Sequence, residues 1–280
     1  MTDYVQGDPM RHNVMKGMLI GAVVLFSACH QKPDESKTAS EQQTSVQVQN
    51  PDILPYLNIQ TQQAKYALPF CEKKNCIDID IQSLQTQDHW LNQWIEKSQS
   101  QVIQAQILLK QNLSLQQAIN AYVKASDEWQ QQFSANKPYR LHMSSRIASQ
   151  RNQYVLLQLQ VDSKQADIEV KDRQYFFVAD RKQQKNLMIL DVIEKSQQTQ
   201  LDQWVQQAYQ AWLKKQAKDA QQTAPKKLYW GQAEWFFDGE GVGLHFRAND
   251  IVKNAKQLDI FLSKAQTKQV MKAEVFRRMF

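Results

Sequence analysis

The chain has 280 residues, and 42% of them are hydrophobic, enough for a sizeable buried core, so wholesale disorder is excluded. Its formal net charge of +6 is spread over isolated Lys and Arg residues and short pairs, with no basic run of five, so no nucleic-acid partner is expected. The long apolar run, residues 18–28, falls well short of the roughly 20 residues that a membrane-spanning helix needs.

That run is the first element in chain order. Arg11 and Lys16 precede it, and Leu25-Phe26-Ser27-Ala28-Cys29 ends it in small residues and a cysteine. The layout resembles a bacterial lipoprotein signal peptide with its lipobox. It implies export, cleavage before Cys29 and lipidation of Cys29, an uncleaved anchor being the alternative. Met10 is a second candidate start, because Asp3 and Asp8 are unusual in a signal's leading region. Removing residues 1–28 takes away two charges of each sign and leaves +6. His30, rather than Asp, follows the cysteine, which by the same resemblance favours the outer membrane, facing the periplasm or the cell surface. Residues 29–52 are Gln, Ser, Thr, Lys, Glu and Pro with almost no apolar side chain. Such a segment reads as a tether spanning on the order of 25 Å.

Cys71 and Cys76 form an even pair in what would be an oxidising compartment, which reads as a disulfide. A redox or metal pair is the rival. The spacing of four intervening residues, with no second Cys pair or nearby His, counts against it. Ile77, Ile79 and Ile81 alternate with polar residues as in a half-buried strand. A helix is predicted over residues 88–107 with Asp88 as N-cap. A second runs over 114–132 with Ser114 as N-cap and Leu115, Ala118, Ile119, Tyr122 and Val123 on its buried stripe. Strands follow at 139–143 and 155–161, and further β-rich runs at 175–179 and 187–193, with turns at Asp162-Ser163-Lys164 and Asp180-Arg181-Lys182. A third helix covers 198–214. After a connector at 222–225, an aromatic strand is predicted over 229–237, then a turn at Asp238-Gly239-Glu240-Gly241, an alternating strand through Val242, Leu244 and Phe246, a last strand at 258–262 and a closing helix. The whole reads as α+β, antiparallel sheets with packed amphipathic helices in two subdomains, 53–221 and 226–280.

The order of these parts resembles the RsiV-like extracytoplasmic domain family, the C-terminal domain of unknown function of the anti-sigma factor RsiV and its relatives. Trp235-Phe236-Phe237, the turn at 238–241, the alternating strand and the final strand carry the C-terminal half of the resemblance. Pro69-Phe70-Cys71 with Cys76, then a strand and the Trp94 helix, carry the N-terminal half. The Gly-Gly-Ala-His segment of relatives is absent at 161–166, so no role is carried over there. The resemblance implies a non-enzymatic binding or sensing module of the cell envelope, with lysozyme or peptidoglycan as ligand. Since lysozyme and this chain are both basic, long-range steering between them would be repulsive.

No Gly-x-Ser-x-Gly, His-Glu-x-x-His or phosphate-binding glycine loop occurs, and no catalytic residue, metal site or cofactor is assigned. His142 and Ser144 share a strand face but lack an identifiable acid partner. Trp94, Trp204 and Trp212 fall on helical apolar stripes and read as core. Trp230 and Trp235, five residues apart on one predicted strand, would point to opposite faces, leaving one for ligand. The hairpin residues Trp235, Asp238, Glu240 and His245 are therefore the candidate recognition surface. A peptidoglycan-modifying envelope enzyme and a structural outer-membrane assembly partner are the alternatives.

Overall fold

The computed structural model describes residues 54, 56–72 and 75–280. The expected signal sequence, Cys29 and the whole of the tether at 29–52 lie outside the described residues. The chain is α+β. Among the described residues, six strands form one sheet in the order β1-β2-β3-β4-β5-β6, and three form a second in the order β7-β8-β9.

β1 (Gln60–Gln63) pairs antiparallel with β2 (Asp78–Gln85), where Ile79 and Ile81 are buried between exposed Asp78 and Asp80. Two helices follow, α1 (His89–Gln106) and α2 (Leu115–Gln132). The Asp88 carboxylate accepts from the Leu91 N–H to start α1. Ser114 starts α2 through a capping box, its hydroxyl accepting from Gln117 N–H while Gln117 Oε1 accepts from Ser114 N–H. This helical pair carries the chain over the sheet, so β3 (Arg140–Arg151) runs parallel to β2, an exception to the antiparallel pattern expected from sequence. β4 (Tyr154–Gln165), β5 (Ile168–Asp180) and β6 (Lys185–Leu187) then meander antiparallel.

The sheet has a core on each face. Ile81, Leu141, Val155, Leu157, Leu159 and Val161 pack under α1 and α2. Tyr154, Leu156 and Val178 point the other way. They meet α4 (Gln198–Leu213), the short helices α3 (Ile189–Val192), α6 (Lys264–Val270) and α7 (Ala273–Met279), and the sheet of β7 (Glu234–Phe237), β8 (Gly241–Phe246) and β9 (Leu258–Ser263). The start of β4 is thus covered on both faces, and its continuous run Tyr154-Val155-Leu156-Leu157 follows from that. α4, which precedes residue 221, and β7–β9, which follow residue 226, share this second core.

Several local expectations are corrected. Residues 162–164 do not turn, because β4 runs on to Gln165 through a bulge and the reversal comes at Ala166, with φ of 49°. Of the run 187–193, Leu187 alone is in a strand, where it ends β6. The Asp191 carboxylate accepts the Met188 N–H at 2.8 Å and closes the helical turn α3 instead. Residues 218–223 are helical (α5, Lys218–Thr223), although the segment read as a connector at its end. The aromatic strand begins at Glu234 rather than 229. Ala233 N–H bonds the Trp230 carbonyl across a turn at Gly231, so Trp230 is not on the strand.

Candidate functional site

The hairpin singled out by sequence divides between interior and surface. Trp235 is buried, its Nε1–H donating to the Leu187 carbonyl at 2.8 Å. Trp230 is buried in the same core, so neither tryptophan faces solvent. His245 is also buried, its Nδ1 2.5 Å from Asp259 Oδ1 and its ring edge-on to Phe176. Asp238 and Glu240 are exposed at the turn, where the Asp238 carboxylate accepts from the N–H groups of Glu240 and Gly241. The reason is topological: β8 is the central strand of its sheet and is covered on both faces.

A charged joint that sequence did not reveal lies where this sheet meets β5. Glu234 Oε2 accepts the Phe176 N–H at 2.9 Å, and its other oxygen contacts the Arg247 guanidinium. Arg247 also bonds Asp250 at 3.1 Å and lies 4.5 Å over the Tyr175 ring. Burial pushes the Glu234 carboxyl above the ordinary carboxylate range, against the pull of Arg247 and the Phe176 N–H. Burial works to lower Arg247, but Glu234 and Asp250 outweigh it and hold the guanidinium more firmly cationic. These groups satisfy one another and serve as a structural joint.

Open space lies instead along α1. Thr86 and Asn92 fasten the start of the helix: the Thr86 N–H donates to Asn92 Oδ1, and Asn92 Nδ2 donates back to the Thr86 carbonyl. Asp88 has a second task. Its Oδ2 accepts from Arg181 Nε at 2.8 Å, and Arg181 is itself buried. Asp180 caps the adjoining turn, accepting from the N–H groups of Lys182 and Gln183. The β5–β6 turn is thereby held against the start of α1. Between them opens a cleft of about 330 Å³ lined by Trp90, Gln93, Trp94, Lys97, Ser98, Gln101, Gln184 and Asn186. Trp90 and Trp94 lie one helical turn apart with rings 18° from parallel and centroids 6.2 Å apart. Trp94 is buried and donates its Nε1–H to Asn186 Oδ1 at 3.1 Å, whereas Trp90 keeps part of its surface open.

Two more clefts adjoin this one. One, of about 250 Å³, lies between α1 and the β1–β2 hairpin and is walled by Gln62, Gln85, His89, Asn92, Gln93 and Gln99 among others. The other, of about 280 Å³, takes in Gln93, Glu96, Lys97 and Asn112 at the α1–α2 junction. Gln93 lines all three, and carboxamides recur throughout. Trp94 is a core residue, as its place on the apolar stripe indicated, while Trp90 is only half-buried and lines the cleft. The spacing of two tryptophans at i and i+4 is the sequence signal that marks this face.

His142 does have an acid partner: its Nε2 lies 2.9 Å from Asp78 Oδ2 across the parallel β2–β3 pair. Asp78 is exposed and His142 partly so, and His142 and Ser144 line an open cleft of about 190 Å³ together with Asp80 and Asp162. Cys71 and Cys76 are joined in a disulfide with Cα atoms 5.8 Å apart. The segment leading into it is held to α2 by Gln116, which accepts from the Ala67 N–H and donates to the Ala67 carbonyl. Among the described residues no group of three His, Cys, Asp or Glu stands ready to hold a metal, and no helix is long and apolar enough to cross a membrane. Cys29 lies outside the described residues.

No family model and no curated protein matches the chain. Among solved structures it is similar to a DUF3298 family protein of Pseudomonas aeruginosa PAO1, with a TM-score of 0.58 and 17% identity over 81% of this chain and 98% of that one. It is also similar to a DUF3298 family member of Bacteroides fragilis NCTC 9343, with a TM-score of 0.56 and 12% identity over 80% of this chain and 97% of that one. At these identities the likeness is one of fold, and neither name carries an activity.

Proposed function

We propose that this chain is an RsiV-like, lipid-anchored cell-envelope protein, held at the outer membrane through Cys29, whose globular part is a non-enzymatic binding or sensing module. The observation that carries the reading is the chain of clefts along α1, which presents half-buried Trp90, backed by the near-parallel ring of buried Trp94, and a wall of carboxamides on a framework fixed by Asp88 and Arg181. The Cys71–Cys76 disulfide fits an oxidising compartment, and residues 18–29 fit a lipoprotein signal. Of the two ligands that the family resemblance suggests, peptidoglycan suits the clefts better than lysozyme. A polymer of sugars and short peptides presents hydroxyls and amides that Gln and Asn side chains pair with, while the net charge of +6 repels a basic protein at long range.

The test is co-sedimentation of the full-length chain, in mild detergent, with intact sacculi, beside retention on immobilised hen lysozyme over a salt series. Saturable retention by sacculi that persists at physiological salt is the expected result. Failure to bind either ligand refutes the binding reading. Release of acetate or soluble muropeptides from the sacculi replaces it with an enzyme.

A further inference from the structure

We infer that the Trp90–Trp94 cleft is a glycan subsite that takes a neutral, N-acetylated sugar ring, with the open face of Trp90 as its platform; the inference rests on the binding-module reading above. A pyranose has one face of axial C–H bonds and a rim of hydroxyls. It is best held by one flat apolar surface and several amide donors and acceptors around it. The cleft supplies both. Its roughly 330 Å³ is at the small end of ligand pockets, which run from about 300 to 1,000 Å³.

The two tryptophans have different roles. Trp94 is 7% exposed, belongs to the core under the large sheet and has its Nε1–H committed to Asn186. It backs Trp90 and limits how far that ring can move. Trp90, one turn earlier, is half-buried and forms the cleft wall. Trp90 packs in part against the core under the large sheet and presents the rest of its indole to the cleft, where apolar contact with a ligand would remove further surface from water. Its neighbours set the chemistry of what fills it. The Asn186 orientation follows from the bond to Trp94: Oδ1 accepts, so Nδ2 points elsewhere, and its contact within the protein is a weak one, 4.0 Å from the Met188 sulfur. That N–H is free to donate to a carbonyl such as an acetamido oxygen. Gln101 and Gln184 are exposed at the rim and carry both donor and acceptor.

Charge argues for a neutral ligand. Lys97 is the charged residue that lines this cleft, and the adjoining ones add Lys65 and Glu96, so no cluster of cations is present to hold a polyanion. The adjoining clefts share Gln93, and one shares Lys97 as well. A ligand seated on Trp90 therefore has amide-lined space beyond it in two directions, as an oligosaccharide requires and a single small metabolite does not.

The probe is chitotetraose, titrated against the full-length chain by intrinsic tryptophan fluorescence, with co-sedimentation on sacculi run alongside. The variants are Trp90→Ala, Trp90→Phe, Gln101→Ala and, as a control on exposed aromatic surface elsewhere, Tyr229→Ala. Gln101 is exposed, so its removal does not threaten folding, and Phe keeps a smaller platform. The expected result is saturable chitotetraose binding that Trp90→Ala weakens about tenfold or more, as loss of a central aromatic contact does. Trp90→Phe and Gln101→Ala should show smaller losses and Tyr229→Ala none. Retention on sacculi that is indifferent to all of the cleft variants overturns this site and leaves the binding module standing. Retention on lysozyme with no response to chitotetraose or sacculi overturns the glycan and keeps a protein-binding module. No binding to any of the three overturns both readings.

Discussion

The joint between the two sheets makes the sharpest test of how this fold is held. Replacing Arg247 by Met removes the guanidinium both from Glu234 and from its place over the Tyr175 ring, and keeps an apolar stem of similar length. Glu234 then retains the Phe176 N–H but loses its charge partner in a site where its side chain is 21% exposed. Breaking a fully buried pair costs about 3–5 kcal/mol, and with a fifth of each side chain exposed roughly 2–3 kcal/mol is expected. The loss should depend on pH. Burial already raises the Glu234 carboxyl, and Arg247 is the leading opposing influence, so the carboxyl rises further in the variant. A carboxyl whose folded pKa lies above its unfolded value favours the protonated folded state. Stability therefore falls as pH climbs from the ordinary carboxylate value through the raised one. Urea unfolding followed by tryptophan fluorescence at about pH 5 and about pH 8 measures this, with the larger loss at the higher pH. Adding Glu234→Gln removes the stranded charge and keeps an acceptor for Phe176, so the double variant should regain most of the loss and titrate flat. Equal losses at both pH values, or a double variant that is simply the sum of the two singles, would refute the account.

Two further predictions concern the interior and one apolar run. Gly243→Ala places a methyl inside the Phe236 ring, which is held by a tilted contact with Phe176 and a stacked one with Phe261, so about 1–3 kcal/mol of stability should be lost in the same unfolding assay. Burial alone would raise the Asp191 carboxyl, but the Lys185 bond, the Met188 N–H and the Lys185 and Lys272 charges outweigh it and hold it below the usual range. Its contribution is thus present above the ordinary carboxylate pKa and lost as pH falls through the lowered one. Asp191→Asn should cost about 1 kcal/mol near neutrality and remove that part of the acid sensitivity in a thermal melt series.

Much of the fold was legible in the residues themselves. The alternation of Ile79 and Ile81 with Asp78 and Asp80, the Ser114 capping box and the stripe Leu115-Ala118-Ile119-Tyr122 are local signals, because each depends on side chains a few residues apart. The Cys71–Cys76 pair was legible for the same reason. Signals failed where a partner distant in sequence decided the outcome. Residues 162–164 have turn composition, yet β3 and β5 pair on both sides and carry β4 onward to Gln165. Trp235 and His245 had the look of a surface hairpin until Phe176, Asp259 and Leu187, some 14 to 69 residues away in sequence, covered them.

The sequence by itself determined the alternation of apolar and polar faces, the helix starts and the composition that separates residues 29–52 from the body, since these are properties of neighbours along the chain. Tertiary structure alone decided which tryptophans face solvent and which charges meet. Trp94 is covered because α1 lies on the large sheet, and Trp90 stays open because the Asp88–Arg181 bridge sets the β5–β6 turn beside it and leaves a gap. Glu234 meets Arg247 because two antiparallel strands bring together residues 13 apart, in a seam whose low polarity comes from the packing of two sheets that no local pattern encodes.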